Sequence, residues 1–141
     1  MALMIALVPL ASCKKPPRDF TGTYKGHASL NKDGKEVSPS TGNLVGVVKQ
    51  DGTQVKSTIA KSFFFRDCEL TGKVTDTLGQ VTGGSCALSQ AVSSTGKAEE
   101  LRVTNGTFYM GERSAADQRL EVTMHAEKGY AFEFRGDRVT P

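Results

Sequence analysis

The sequence has 141 residues, 18 of them basic and 15 acidic, and a hydrophobic fraction of 38%, which suits one folded domain. Three of the basic residues and one acidic residue precede Phe20, so the rest of the chain carries a net charge of only +1. This balance excludes a nucleic-acid-binding protein, because that class needs clustered basic charge.

The chain begins with an uncharged apolar run, residues 2–11. A membrane-spanning helix needs about 20 such residues, whereas the apolar core of a secretory signal is shorter. The segment Leu10-Ala11-Ser12-Cys13 resembles the lipobox of bacterial lipoproteins. The resemblance implies that residues 1–12 are a signal peptide and that Cys13 becomes the acylated first residue.

Two alternatives stay open at this end of the chain. Residues 1–4 lack the usual Lys or Arg, so either the true start lies upstream or the terminal amine supplies the charge. A buried N-terminal strand with an ordinary Cys13 is the other interpretation of the apolar run.

Residues 13–19 are expected to form a lipidated tether. Pro16-Pro17 favours an extended spacer, and the nearby cations, Lys14, Lys15 and Arg18, either contact anionic headgroups or belong to a solvated linker. In enterobacterial lipoproteins a residue other than Asp after the cysteine generally permits sorting to the outer membrane. We therefore expect a protein of the bacterial cell envelope, held in the outer membrane by acyl chains on Cys13, with the inner membrane as the alternative.

Cys68 and Cys86 are the two cysteines left after lipidation. An exported compartment is oxidising, so they are expected to form a disulfide. Their spacing does not suit a metal site and no Cys or His pair lies near them, so we expect neither a metal nor a cofactor.

Strand-like alternation dominates the rest of the chain, and no segment of seven or more residues has apolar positions at helical spacing. Glycine turns recur at short intervals, which predicts a sandwich or barrel. A first strand at residues 21–30 followed by hairpins predicts an all-β fold. We expect an antiparallel up-and-down meander of eight to ten strands over residues 20–141 that closes into a small barrel. A turn is expected at residues 31–34 and a loop at residues 38–42.

The first predicted hairpin covers residues 43–60 and turns at Asp51-Gly52, a pair suited to positive φ angles. This register places four apolar residues on one face. They form the pairs Val48–Val55 and Leu44–Ile59.

The second predicted hairpin covers residues 65–88 with a loop at residues 75–79. Centring that loop on Thr77 places Cys68 opposite Cys86. Gly83-Gly84 indicates a bulge or a close backbone approach. Phe63, Phe64 and Phe65 are consecutive and cannot all face one core, so at least one is expected to cover a barrel end or to be exposed.

Two further hairpins are predicted from their apolar faces. The third turns at Asn105-Gly106 and forms the pairs Val103–Phe108 and Leu101–Met110. The fourth uses a three-residue loop, Glu127-Lys128-Gly129, with Gly129 left-handed. It forms the pairs Met124–Phe132 and Val122–Phe134, whereas a two-residue turn would set Met124 against Glu133.

Groups that could converge for catalysis are few. His27 and His125 are isolated on predicted solvent faces, where we expect them to be surface residues. Glu99-Glu100 precede a strand and alternate between its faces, so they do not form an acid–base pair. No serine has the setting of a nucleophile elbow, and no glycine-rich phosphate loop opens a helix. We therefore predict that the protein is not an enzyme.

The segment Phe20-Thr21-Gly22-Thr23-Tyr24 resembles the first-strand Gly-x-Trp motif of lipocalins, with Tyr24 in the Trp position. The resemblance implies a lipocalin-like barrel in which Arg135 or Arg138 packs over Tyr24. The chain departs from that family in having no Trp, no C-terminal helix and a shorter length, and the resemblance transfers no ligand.

Two functions are consistent with such a barrel. In the first, the barrel holds a small apolar ligand. In the second, the core is filled and the protein is an inhibitor or an assembly accessory of the envelope, which binds another protein through residues 63–65 or through the loops. An enclosed apolar void favours the first function and a filled barrel favours the second. The residues expected to line the interior in either case are Tyr24, Val48, Val55, Val103, Phe108, Met110, Met124, Phe132 and Phe134.

Overall fold

The computed structural model describes residues 18–60, 62–75, 78–93, 95–114 and 117–139. The expected signal peptide, Cys13 and most of the tether lie outside these residues. Within them, no helix has the length and apolar character needed to cross a membrane.

The described chain forms a closed barrel of eight antiparallel strands, in which sequence neighbours pair and β8 pairs back to β1. This confirms the all-β, up-and-down barrel predicted from the sequence. The strands are β1 Gly22–Lys32, β2 Lys35–Asp51, β3 Gln54–Ile59, β4 Phe65–Thr75, β5 Leu78–Leu88, β6 Glu99–Ser114, β7 Asp117–Ala126 and β8 Tyr130–Arg138.

The connections alternate between the two ends of the barrel because the chain runs up and down. One end carries Phe20 and the connections after β2, β4 and β6, and we call it the N-terminal end. The other carries the connections after β1, β3, β5 and β7, and we call it the far end.

Inward-pointing side chains fill the barrel, since successive residues of a strand point to opposite faces. Phe20 closes the N-terminal end and meets Phe108 edge-on, with ring centroids 4.9 Å apart. Phe64 closes the far end, its ring centroid 6.3 Å from that of Phe132. An aromatic side chain buries roughly 150–250 Å², so these rings seal both ends against water.

The hairpin between β2 and β3 has the predicted inward face but a different register. Asp51 pairs with Gln54 and Val48 with Ser57, so the turn is Gly52-Thr53 and the prediction of Asp51-Gly52 is wrong. Gly52 has a φ of 59°, the left-handed conformation that the first central residue of such a turn requires. A shift of two residues preserves the faces. The residues that still point inward are Leu44, Val48, Val55 and Ile59.

The loop predicted at residues 38–42 is wrong, because β2 continues through it. Lys32 pairs with Lys35, which confirms the turn at residues 31–34. Between the Lys32–Lys35 pair and the Gly26–Leu44 pair, β2 spans nine residue steps and β1 only six, and the pairing between them shows register shifts. A bulged strand therefore absorbs the Ser, Pro, Thr and Gly residues that suggested a loop.

The hairpin predicted at Asn105-Gly106 is also wrong. These residues lie inside β6, which pairs with β5 on one side and β7 on the other. A register shift between Val103 and Asn105 marks a bulge. One extra residue reverses the alternation of faces, as a hairpin turn would also have done. The four apolar residues therefore point inward along one strand: Leu101, Val103, Phe108 and Met110.

Cys68 pairs with Cys86 as predicted, but the turn of this hairpin is shorter than predicted and a bulge compensates for the difference. Thr75 pairs with Leu78, so the predicted loop at residues 75–79 is too long. A register shift at Gly72 then leaves one unpaired residue in β5, just before Gly83-Gly84, and moves the two cysteines opposite each other. This confirms the bulge that Gly83-Gly84 indicated.

The last hairpin has the predicted register. Met124 pairs with Phe132 and Val122 with Phe134. The connection is the 3-10 turn Glu127–Gly129, in which Gly129 has a φ of 78°.

Candidate functional site

All nine residues expected to line a ligand site lie in one buried core. The cavities between them are small, about 40, 30 and 20 Å³. Ligand sites of drug-sized molecules measure roughly 300–1,000 Å³. The nine side chains therefore fill the barrel, which favours the second of the two functions considered from the sequence.

At the N-terminal end, Arg138 of β8 lies over Tyr24 of β1. The guanidinium carbon is 5.5 Å from the ring centroid, and Nη2 donates hydrogen bonds to the Tyr24 hydroxyl at 2.9 Å and to the Asp19 carbonyl at 2.9 Å. The Tyr24 hydroxyl donates to the Phe20 carbonyl at 2.8 Å. We call these four residues the clasp, because they tie the segment before β1 to the last strand. Arg135 instead faces Glu121 at 3.5 Å.

Burial raises the pKa of Tyr24, and its hydrogen bond with Arg138 and the positive charge of that residue partly offset the rise. The backbone amide of Thr21 donates to the Asp19 carboxylate at 2.9 Å and is the main reason why the pKa of Asp19 is lowered. The clasp is therefore held with a neutral phenol and an ionised carboxylate at neutral pH.

The far end exposes one phenylalanine. Phe63 is 54% exposed, whereas Phe64 and Phe65 are buried. The Ser89 hydroxyl donates to the Phe63 carbonyl, and the amide of Ser62 donates to the Phe65 carbonyl at 2.8 Å. These bonds fix the backbone that presents the exposed ring, as the sequence predicted for one member of this triplet.

The disulfide joins Cys68 of β4 to Cys86 of β5, with Cα atoms 4.0 Å apart. Both side chains point into the barrel and are buried. This confirms the predicted cross-strand bridge and places it in the core. Among the described residues, no cluster of His, Cys, Asp and Glu is arranged to hold a metal ion.

The two histidines lie apart on the outer wall. His27 is opposite Arg135 and His125 is opposite Ala131, so β8 separates them, and both are exposed. Glu99 accepts a hydrogen bond from Lys128, which lowers the pKa of Glu99, and Glu100 accepts one from Ser85 at 2.7 Å. The two glutamates thus have separate partners and do not form an acid–base pair.

The outer wall carries a groove between β5, β6 and β7 that sequence reasoning did not find. Its volume is about 390 Å³. The residues that line it are Gln80, Val81, Thr82, Asn105, Gly106, Thr107, Thr123 and His125. Its only sequence signals were the dipeptides Gly83-Gly84 and Asn105-Gly106, which mark the bulges beside it.

Fold and site together define a small, closed, up-and-down β-barrel with a filled core. No protein-family description and no curated protein matches the sequence. A solved structure similar to this chain is isotype 1 transferrin binding protein B from serogroup B Neisseria meningitidis, with a TM-score of 0.47 and 13% identity. The match covers 93% of this chain and 28% of that protein, so this chain spans less than a third of its length.

Proposed function

We propose that this protein is a lipid-anchored, non-catalytic component of the bacterial envelope that binds another protein through the far end of its barrel. The observation that carries the proposal is the filled interior, where the cavities between the core side chains measure about 20–40 Å³. A barrel without room for a ligand has only its surface to offer a partner.

The geometry of the tether supports the choice of end. Arg138 holds the backbone at Asp19 to the N-terminal end. Six residue steps separate Asp19 from Cys13, and an extended chain spans at most about 3.5 Å per step, or roughly 20 Å in all. Acyl chains on Cys13 would keep the N-terminal end close to the bilayer and leave the far end facing away from it.

Phe63 is the side chain at that end most suited to contact a partner. It is the most exposed of the large apolar side chains described, at 54%. Aromatic residues are enriched at protein–protein interfaces, where they supply buried area at low entropic cost. The fixed backbone around it means that little order has to be gained on binding.

Site-specific photocrosslinking tests the proposal. A photoreactive phenylalanine at position 63, introduced in cells that naturally make the protein, should give one discrete adduct with an envelope protein. The matched control is position 78, where Leu78 is 43% exposed but lies at the N-terminal end. Equal labelling from both positions contradicts the proposal. Saturable binding of an apolar fluorescent dye also contradicts it, if that binding is lost when larger side chains are introduced into the barrel interior.

A further inference from the structure

The groove on the outer wall arises where β5 and β6 separate. Leu78 to Val81 pair with Tyr109 to Gly106, and Ser85 to Leu88 pair with Arg102 to Glu99. Between these two ladders, three residues on each strand have no partner across the gap, although the register on both sides is the same. β5 is bulged against β4 here and β6 is bulged against β7, so both strands bend at one point of the wall.

The floor of the groove is apolar and close-packed. Val81 is 7% exposed, and Gly106 lies against β7. A Cβ atom on Gly106 would stand 2.4 Å from the Thr123 carbonyl oxygen and 3.2 Å from a Val81 methyl. Glycine is therefore required at this position, because only a bare backbone fits so close to the neighbouring strand.

The rim consists of uncharged side chains that can both donate and accept hydrogen bonds. Hydroxyl, amide and imidazole groups have this dual capacity, whereas Lys and Arg only donate and ionised Asp and Glu only accept. A phosphate needs hydrogen-bond donors, and a cation needs oxygen or nitrogen acceptors. This rim instead suits a ligand whose own groups both donate and accept hydrogen bonds. Its members are Gln80, Thr82, Asn105, Thr107, Thr123 and His125.

The rim groups are available to a ligand. Among the described residues, the side chains of Gln80, Asn105 and Thr107 have no hydrogen-bond partner, and all three are exposed. Thr82 has only a contact of 3.4 Å with Thr71. These groups meet water in the unliganded protein, so a ligand with matching hydroxyls replaces that water without leaving buried groups unpaired.

Tyr109 lies outside the groove. It is two residues beyond Thr107 on the same outer face of β6 and is 45% exposed. Its ring leans away from Thr107 toward Gly111, where an added Cβ atom would stand 3.9 Å from the ring edge and from the hydroxyl.

We propose that this groove binds an uncharged sugar unit, with its hydroxyl groups on the polar rim and one apolar face of its ring against the floor of Val81 and Gly106. The interrupted stretch from Val81 to Ser85 spans four residue steps, about 13 Å at the rise of a β-strand, which suits one or two sugar rings. An extended peptide fits less well, because strand addition needs a long free sheet edge, whereas the barrel is closed and each unpaired stretch in the gap is only three residues long.

The site lies on the side wall, apart from Phe63, and does not depend on the function proposed for the far end. The test uses the full mature chain, 15N-labelled, in a zwitterionic detergent, because a glycoside detergent would compete. Titration with N,N′-diacetylchitobiose should give saturable amide shifts at Gly106, Thr107 and His125, with millimolar affinity. Titration with tri-alanine should give none.

Variants locate the binding. Thr107→Val with Thr123→Val removes two rim hydroxyls while keeping the shape and strand preference of the side chains, and should weaken binding about tenfold or more. Thr58→Val on the outer face of β3 is the matched control and should bind as the parent does. Tyr109→Leu, which changes a side chain outside the groove, should also bind as the parent does.

Three outcomes overturn the inference. One is the absence of saturable shifts with the disaccharide. Another is binding that survives the double valine variant. The third is saturable binding of tri-alanine at the same amides, which assigns the groove to peptides.

Discussion

At the scale of single residues, the clasp is the contact that joins the start of the fold to its end. Arg138 contributes three hydrogen bonds, two to the Tyr24 hydroxyl and one to the Asp19 carbonyl, and lies over the face of Tyr24. Both partners are more than 110 positions away in sequence. Closure of the barrel brings β1 and β8 together, and the clasp then fixes where the tether leaves.

We expect Arg138→Ala to destabilise the protein by about 1–2 kcal/mol, because it removes three hydrogen bonds and a cation–π contact. At roughly 4 °C for each kcal/mol in a domain of this size, the melting temperature should fall by several degrees. Arg135→Ala is the control. Its ion pair with Glu121 is largely exposed on the arginine side, and surface pairs contribute little. Equal losses in the two variants would contradict the clasp.

The phenol of Tyr24 should make stability fall at alkaline pH. Its pKa is raised in the folded state, chiefly by burial, so the folded protein holds this proton more tightly than the unfolded chain does. The stabilisation is fully present below the unfolded value near 10 and is lost as pH rises through the folded pKa. Melting temperatures from pH 8 to 11 should therefore drop less in Tyr24→Phe than in the parent. An identical drop in both proteins would show that Tyr24 does not cause it.

At the scale of strands, the positions of the bulges determined which predictions from the sequence were correct. The Glu127–Gly129 connection was predicted in full, because one register alone made the apolar faces of β7 and β8 coincide. Asn105-Gly106 misled, because a turn and a bulge both reverse the alternation of side chains, and the apolar pattern is the same for either. Only pairing with β5 and β7, which a single strand's sequence does not encode, separates the two.

The two candidate sites, Phe63 and the groove on the outer wall, also differ in whether the sequence predicts them. The exposure of one of three consecutive phenylalanines follows from the period of a strand, so Phe63 could be anticipated. The groove could not, because it needs two bulges, one in β5 and one in β6, to fall side by side in the barrel wall. Their coincidence is a property of the strand register.

The bulge in β6 gives a sharp test of the strand packing. Gly106→Ala places a methyl group 2.4 Å from the Thr123 carbonyl oxygen, and we expect a loss of about 2 kcal/mol from the shift this forces. Gly46→Ala is the matched control, because nothing lies within 4 Å of a Cβ atom there. Chemical denaturation should show a clear loss for Gly106→Ala and a small change for Gly46→Ala. The opposite order would mean that the bulge is not placed as described.

The bridge between β4 and β5 is expected to stabilise the barrel substantially. Cys68 and Cys86 are 18 residues apart, and closing a loop of that length in the unfolded chain is worth on the order of 3 kcal/mol in the chain-entropy estimate. Replacing both by alanine should lower the melting temperature by several degrees while leaving the lipid anchor that we propose on Cys13 intact. A thiol count on unfolded, unreduced mature protein should find neither cysteine free, and two free thiols would refute the bridge.

At the scale of the whole molecule, the filled core and the position of the tether combine into one picture. The barrel has cavities of only about 20–40 Å³, its first residues are clasped at one end, and its exposed phenylalanine lies at the other. If Cys13 carries lipid, as we propose, the N-terminal end lies near the bilayer and the far end with Phe63 is held away from it.

The orientation of the barrel proposed here therefore depends above all on lipidation of Cys13. Intact-mass spectrometry of the protein purified from the membrane fraction is the test. We expect the mass of the chain from Cys13 to Pro141 plus that of the acyl groups, and we expect Cys13→Ala to abolish this species while the barrel still folds. An unmodified, water-soluble protein that retains residues 1–12 would contradict it.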